Sequence, residues 1–383
     1  MRILTVDVGT GTQDIFLYDS CLDLENGLKL VVPSPTLTIN RRMKQATASG
    51  KDVVLTGVTM GGGPSDWATT AHIRAGHKVY ATPDAARSFN DDLDFLQREM
   101  GLTVVGEEEA ALLIAGNHVV DIELKDFDLP AIVASLAAFG YHLDVDAIGV
   151  AVFDHGNAPP GISDRQFRFD YLNQRLQLCN QLSTFAFRAD EVPPIMTRMQ
   201  SVLQNYQGDV PLLVTDTAPA AIAGAMLDPL VQSRHRVLIA NVGNYHTLAC
   251  RVNKSGEIEG MFEHHTGELD RNRMDDLLSA LADSSITHED VFGDMGHGAL
   301  LYSSAPLPLR TNGEWGVAIT GPRRKLMCGS RHRPYFAVPY GDMMLTGCFG
   351  ILRLMADVMP EFQPIILESL KGKTGAMPWD TVP

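Results

Sequence analysis

The chain has 383 residues, 45% of them apolar, and a formal net charge of -15. That length suits about two domains and that apolar share suits two packed cores, while the acidic balance argues against nucleic acid, whose binding draws on clustered Lys and Arg. No stretch approaches a membrane-spanning length, and the chain starts on a strand-like run without a basic segment and apolar leader, so a soluble, cytoplasmic protein with no membrane partner is expected.

The opening stretch reads as two short strands around a glycine turn. Ile3, Leu4, Val6 and Val8 form one β-favouring run and Ile15 to Tyr18 another. Between them Gly9 and Gly11 free the backbone to bring its N–H groups close to a ligand, and the hydroxyls of Thr10 and Thr12 donate in the same direction. Asp7, ending a buried strand, suits a hydrated magnesium ion beside phosphates. A plain hairpin would also use these residues, so both readings stay open. Leu28 to Val32 continues as a third strand, giving an N-terminal meander.

Asp52 to Thr59 reads as a buried strand, followed by Gly61-Gly62-Gly63-Pro64 and a helix capped by Ser65. Strand, glycine loop and helix N-terminus suit an anion or a tight turn. His77 to Ala81 and Val119 to Leu124 are further strands. With a helix from about Pro130 to Gly140, the latter is expected to join Ala147 to Phe153 in a strand-helix-strand crossover. Asp154, His155 and, further on, Arg165 follow that last strand, where open α/β sheets place ligands, although Asp-His-Gly-Asn is also turn chemistry. Helical patterns are expected over Arg165 to Phe187 and Glu191 to Gln207. In PLLVTDTAPAAIAG an apolar strand ends in Asp216, which suits either a helix N-cap or a general base.

The second half repeats the opening design. Arg236 to Arg251 is strand, glycine turn, strand, with Asn241, Gly243, Asn244 and Thr247 at the turn, and this repetition suggests duplicated lobes. Glu263, His264, His265 and Thr266 precede a helix reaching about Ala282. Adjacent histidines point apart, so one of them, His264, is expected to reach the substrate rather than both to share a metal. Trp315 to Thr320 forms a strand ending in the Gly321 turn, and a helix from about Met343 carries Gly347 and Gly350 where close backbone packing or a ribose needs room. The five cysteines, Cys21, Cys179, Cys250, Cys328 and Cys348, are scattered and form no CxxC or CxxxCxxC cluster, which removes the thiolate signature of an iron–sulfur centre or structural zinc.

Assembled in this order, the motifs resemble the actin, heat-shock chaperone and sugar kinase superfamily. That resemblance implies an α/β fold of two related actin-like, ribonuclease H-like lobes, here 1–232 and 233–383, with ATP and magnesium in the cleft between them. DVGTGTQD looks like the first phosphate motif and is similar in spacing to the hydantoinase and acetone carboxylase subgroup, implying nucleotide contacts at Gly9, Thr10, Gly11, Thr12 and Gln13 and magnesium held through water by Asp7. PLLVTDTAPAAIAG followed by VLIANVGNYHTL is similar to carbohydrate kinases of the FGGY type, implying a catalytic base at Asp216 and nucleotide contacts at Asn241, Gly243, Asn244 and Thr247; Gly321 looks like the adenosine turn. Asn241 stands where many relatives carry an aspartate. More closely, the chain resembles an uncharacterised family labelled pyruvate formate-lyase activating enzyme-like. A radical enzyme of that kind needs three clustered thiolates, so radical chemistry is not expected.

The expectation is therefore an ATP-dependent phosphotransferase. Its small polar acceptor would lie near Gly61, Gly62, Gly63, Asp154, His155, Arg165 and His264, with Asp7 and Asp216 catalytic. An ATP-binding switch or ATPase subunit acting on a partner protein is the alternative.

Overall fold

The computed structural model describes residues 1–159, 161–309, 314–372 and 375–380. Among them the strands are, in chain order, β1 (Arg2–Val8), β2 (Thr12–Asp19), β3 (Leu28–Pro33), β4 (Asp52–Gly57), β5 (Val79–Ala81), β6 (Thr103–Val104), β7 (Val119–Leu124), β8 (Ala147–Val152), β9 (Ala186–Arg188), β10 (Leu212–Asp216), β11 (Arg236–Val242), β12 (His246–Asn253), β13 (Ile258–His265), β14 (Gly298–Leu301), β15 (Ala318–Thr320) and β16 (Tyr335–Phe336). They form three mixed or parallel sheets, ordered β3-β2-β1-β8-β10-β9, β6-β5-β4-β7 and β14-β13-β12-β11-β15-β16. The protein is thus α/β.

The two six-stranded sheets share one plan. In the first, β1, β2 and β3 form the expected antiparallel meander, and β8 and β10 continue it in parallel from β1. In the second, β11, β12 and β13 form the meander, and β15 and β16 continue in parallel from β11. The β1 and β8 strands are nearly all buried, which is why they read as continuous apolar runs rather than as alternating ones. The four-stranded sheet lies wholly within the insertion between β3 and β8 and has its own apolar core around Val53, Leu55, Val79 and Ile122.

Some expectations require correction. β7 pairs with β4 and β8 pairs with β1, so the helix Leu129–Ala138 connects two different sheets instead of completing a crossover within one. The helix expected through Phe187 stops at Leu178 (Asp164–Leu178), and Ala186–Arg188 instead forms an edge strand antiparallel to β10. Glu263 to His265, unassigned from sequence, lie inside β13, and the helix expected after them runs Arg271–Ala282. Ser65 is not the cap: the helix runs Pro64–Arg74 from a cap at Gly63, and the Ser65 hydroxyl donates to the carbonyls of Gly61 and Gly62.

Two helices join the repeated sheets. Thr217–Ala225 is buried along nearly its whole length and packs on Thr346–Val358, which also covers β1 and β8. The fit depends on glycine. A Cβ at Gly224 would run into the Thr346 carbonyl and one at Gly350 into the Ala220 carbonyl, so the small-residue pattern read in both segments serves backbone-to-backbone packing. Phe349, on the second helix, packs edge-on against Phe16 of β2 at 5.2 Å.

Candidate functional site

Strand pairing makes the two glycine turns superimposable position by position. In the first, Asp7 pairs with Asp14 and Val8 with Gln13, and Gly9 N–H donates to the Thr12 carbonyl at 2.9 Å. In the second, Asn241 pairs with Leu248 and Val242 with Thr247, and Gly243 N–H donates to the His246 carbonyl at 3.0 Å. Asp7 therefore corresponds to Asn241, Thr10 to Asn244, Thr12 to His246 and Asp14 to Leu248. Both turns line one cavity, together with Thr217, Ala218, Thr320, Gly321 and Thr346. Gly321 holds φ at +97°, and a Cβ there would meet the Asn241 side chain and the Val242 carbonyl. Gly321 thus lines the same cavity as both turns.

Acidic side chains are concentrated on the first turn. Asp7 accepts from the Thr217 hydroxyl, and burial pushes its carboxyl up to about 6, with the nearby Asp216 charge adding to the shift. Asp14 is raised further, to about 8, by burial first and by the Asp7 charge second. Its Oδ1 is buried without a hydrogen-bond partner, as is the Gln13 amide nitrogen. Two buried carboxylates that repel each other, one with an orphaned oxygen, have the donor chemistry of a hard oxygen-seeking cation such as magnesium.

A second cavity adjoins the first and shares Thr10, Phe153, Arg198, Tyr245 and His246 with it. The Gly61–Gly63 loop, Asp154 and His155 line it. Asp126 clamps the Arg198 guanidinium at 2.5 and 3.0 Å and also accepts from Gly61 N–H at 3.2 and 3.3 Å. The glycine loop is therefore fixed by a carboxylate and places the Arg198 charge between the two cavities. Both Asp154 oxygens accept backbone N–H groups, from Gly156 at 2.8 Å and Met199 at 2.9 Å, so this carboxylate braces the loop.

Asp216 lies outside both linings. It caps its helix through Ala218 N–H at 2.9 Å, and Arg168 donates to its two oxygens at 2.6 and 3.2 Å. The same guanidinium donates to both oxygens of Glu263 at 2.7 and 2.8 Å. Arg168 is fully buried, and it links a carboxylate of the first repeated sheet to one of the second. Its face lies 3.8 Å over Phe153, which stacks in turn on His246 at 3.9 Å.

Around that stack His155, His246 and His297 converge, with one nitrogen from each lying within 4.8 Å of the others. Burial, reinforced by the Arg168 charge, holds His155 down to about 3 and keeps His246 and His297 well below the ordinary imidazole range, so all three are neutral.

Several expected site residues lie elsewhere. Arg165 donates to the carbonyls of Gly296 and Phe292 and stacks on the Phe292 ring, so it pins a loop. His264 is fully buried, with Nδ1 3.1 Å from the His265 carbonyl. Thr247 turns away from the turn and exchanges a hydrogen bond with Thr266 at 2.9 Å. Gly11 and Gln13 flank the first cavity without lining it. In these cases strand alternation or a competing partner directs the side chain elsewhere.

Sequence reasoning missed Arg198, Arg168, Thr217 and His297, and it did not place Asp14 or His246 in the site. Arg198 and Arg168 read as ordinary polar positions of amphipathic helices. His297 had one local signal, its place between Gly296 and Gly298, of which the second holds φ at +144°.

The chain belongs to the family described as "Putative pyruvate format-lyase activating enzyme (DUF1786)", whose model matches residues 60–326. No curated protein matches it. Two solved structures overlay loosely. One is a ROK-family transcriptional regulator described as a homologue of the E. coli MLC protein, at 9% identity, TM-score 0.22 and coverage of 67% of this chain and 37% of that one. The other is an exopolyphosphatase-like protein, at 8% identity, TM-score 0.23 and coverage of 69% and 50%. The chain therefore spans half the length of these structures or less, and overlays this loose carry no argument.

Proposed function

We propose that the chain is an actin-like two-lobed protein that binds magnesium-ATP between its repeated sheets and transfers the terminal phosphoryl group to a small polar acceptor in the adjoining cavity. The observation that carries this reading is the pair of equivalent glycine turns lining one cavity from opposite sheets. Backbone N–H groups of Gly9 to Thr12 and of Gly243 to His246 would hold the phosphates from two sides, and the Gly321 turn would lie against the base or sugar. Asp7 and Asp14 would hold magnesium, which supplies neutralisation of phosphate charge when bound. Arg198, between the cavities, would face the charge that develops on the transferring group. Because phosphoryl transfer depends chiefly on positioning and electrostatics, Asp216 is assigned a positioning role through Arg168.

That occupancy of Asp216 also favours a second reading. With its carboxylate oxygens engaged, a water-activated or partner-stimulated ATPase that needs no acceptor base fits the site as well. The family's described activity is not adopted, since an iron–sulfur centre takes gathered thiolates and, among the described residues, the side-chain cluster suited to a metal contains no cysteine.

The test is calorimetric titration of the chain with magnesium-ATP, followed by detection of ADP in the presence and absence of hydroxyl-bearing metabolites. Micromolar binding that is lost in Gly243→Val, where a Cβ would press on the His246 carbonyl, is expected. No magnesium-ATP binding at millimolar ligand overturns the reading. Turnover without any acceptor dependence selects the ATPase.

A further inference from the structure

We infer that His155, His246 and His297 form a binding site for one borderline divalent transition-metal ion, zinc being the representative, with an open coordination position toward the second cavity. This inference does not rest on nucleotide binding. Three observations carry it.

The first is donor geometry. The Nε2 atoms of His155 and His297 face each other at 3.0 Å, and the three ligand nitrogens lie within 4.8 Å of one another. Tetrahedral zinc with bonds of 2.0–2.1 Å sets its nitrogens about 3.3 Å apart. One pair is already near that spacing, and the remaining approach is at most about 1.5 Å. The three rings come from three separate segments, after β8, at the start of β12 and before β14.

The second observation is unmet demand. A bond between the His155 and His297 imidazoles satisfies one nitrogen on each, yet His246 Nε2 and His297 Nδ1 are buried with no partner. Each such orphan costs about 1–3 kcal/mol. A metal held by the three rings satisfies His246 directly.

The third is the supporting shell. His297 Nδ1 lies 3.6 Å from Glu263 Oε1, just beyond hydrogen-bond reach, and that carboxylate is fixed bidentately by Arg168. With the metal on Nε2, an approach of a few tenths of an ångström would let Nδ1–H donate to the anchored carboxylate, the arrangement that orients metal-binding histidines. His155 and His246 line the second cavity while His297 is fully buried, so the open position faces cavity solvent or an oxygen donor of a bound molecule. Neutral nitrogen donors select zinc, cobalt, nickel or copper over magnesium, which takes oxygen ligands.

The experiment uses the full chain, stripped with chelator and titrated with cobalt(II) in excess magnesium. One cobalt ion per chain is expected, with the visible absorption of a nitrogen-ligated low-coordinate ion and displacement by zinc. His155→Gln and His246→Gln, both at half-buried positions, should each weaken cobalt binding at least tenfold, and Glu263→Gln about 10–100-fold, while Asp14→Asn binds as the wild type does. Electron paramagnetic resonance of the copper(II)-loaded wild type supplies a readout free of folding effects, and coupling to three nitrogens is expected. An oxygen-only copper spectrum, no stoichiometric cobalt binding, or cobalt binding that survives both histidine substitutions or is lost in Asp14→Asn overturns the site.

Discussion

The two glycine turns have the same backbone and different chemistry. At matched positions the first carries Asp7, Thr10, Thr12 and Asp14, and the second carries Asn241, Asn244, His246 and Leu248. The two turns thus share the hairpin and its closing hydrogen bond, while carboxylates stand on one side only. The first turn carries the oxygen donors that the proposed magnesium ion would use, and the second carries neutral side chains. Asn241, opposite Asp7 in the repeat, adds no negative charge to the cavity, and His246 where Thr12 stands puts an imidazole at the junction with the second cavity. What joins the halves electrostatically is Arg168, with one carboxylate from each repeated sheet on its guanidinium.

The largest effect is therefore expected at that junction. Arg168→Met leaves Asp216 and Glu263 buried without their cation and should cost about 3–5 kcal/mol in denaturant unfolding. Adding Asp216→Asn and Glu263→Gln should recover much of it. Full recovery without those additions breaks the idea that Arg168 is the electrostatic tie.

At the turns themselves, Asp7→Asn should weaken magnesium-ATP about 10–100-fold, the range of losing one charge-assisted contact. Asn241→Ala at the matched position should cost less than tenfold. Equal losses would show that the two turns are not specialised. Asn241→Asp restores the symmetry that the protein lacks and should make ATP binding more dependent on magnesium, read as weaker binding of the metal-free nucleotide.

The asymmetry also has a pH signature. Asp14 is raised in the folded protein from the ordinary 3.8 to about 8, so the native state keeps a proton that the unfolded chain has lost. Its contribution to stability is full below pH 3.8, declines as pH rises toward 8 and is gone above that. Asp14→Asn should flatten that decline in Tm against pH, and magnesium should raise Tm most at the alkaline end. A wild-type profile unchanged by Asp14→Asn counts against a buried proton at this position.

The smallest effect concerns the inserted sheet. Trp67, in the helix after the Gly61–Gly63 loop, meets Tyr245 of the second turn edge-on at 5.9 Å. Trp67→Ala should cost about 0.5–1.5 kcal/mol and loosen acceptor binding more than nucleotide binding. The reverse order would detach the inserted sheet from the second cavity.

Much of this organisation was legible in the chain. Glycines bracketed by apolar runs at Asp7 to Asp14 and at Asn241 to Thr247 identify the hairpins, because few residue types tolerate such turns. Small residues around Gly224 and Gly350 announce helices in backbone contact. The inserted sheet was not legible as a separate body, since β7 and β8 have the same apolar character and nothing local says which partner each will pair with. Asp216 was visible as the end of a strand, but its engagement by Arg168, 48 positions earlier, was not.

The sequence by itself determined the repeated hairpins, their glycine turns and the concentration of acid on the first of them, because these follow from local backbone preference and residue chemistry. Only the tertiary structure decided which side chains meet across the cleft. Arg168 and Arg198 become site residues, and His155, His246 and His297 become neighbours, through contacts between segments far apart in the chain. Burial in that packed junction also keeps the three histidines neutral, while carboxylate partners hold the two buried arginines charged.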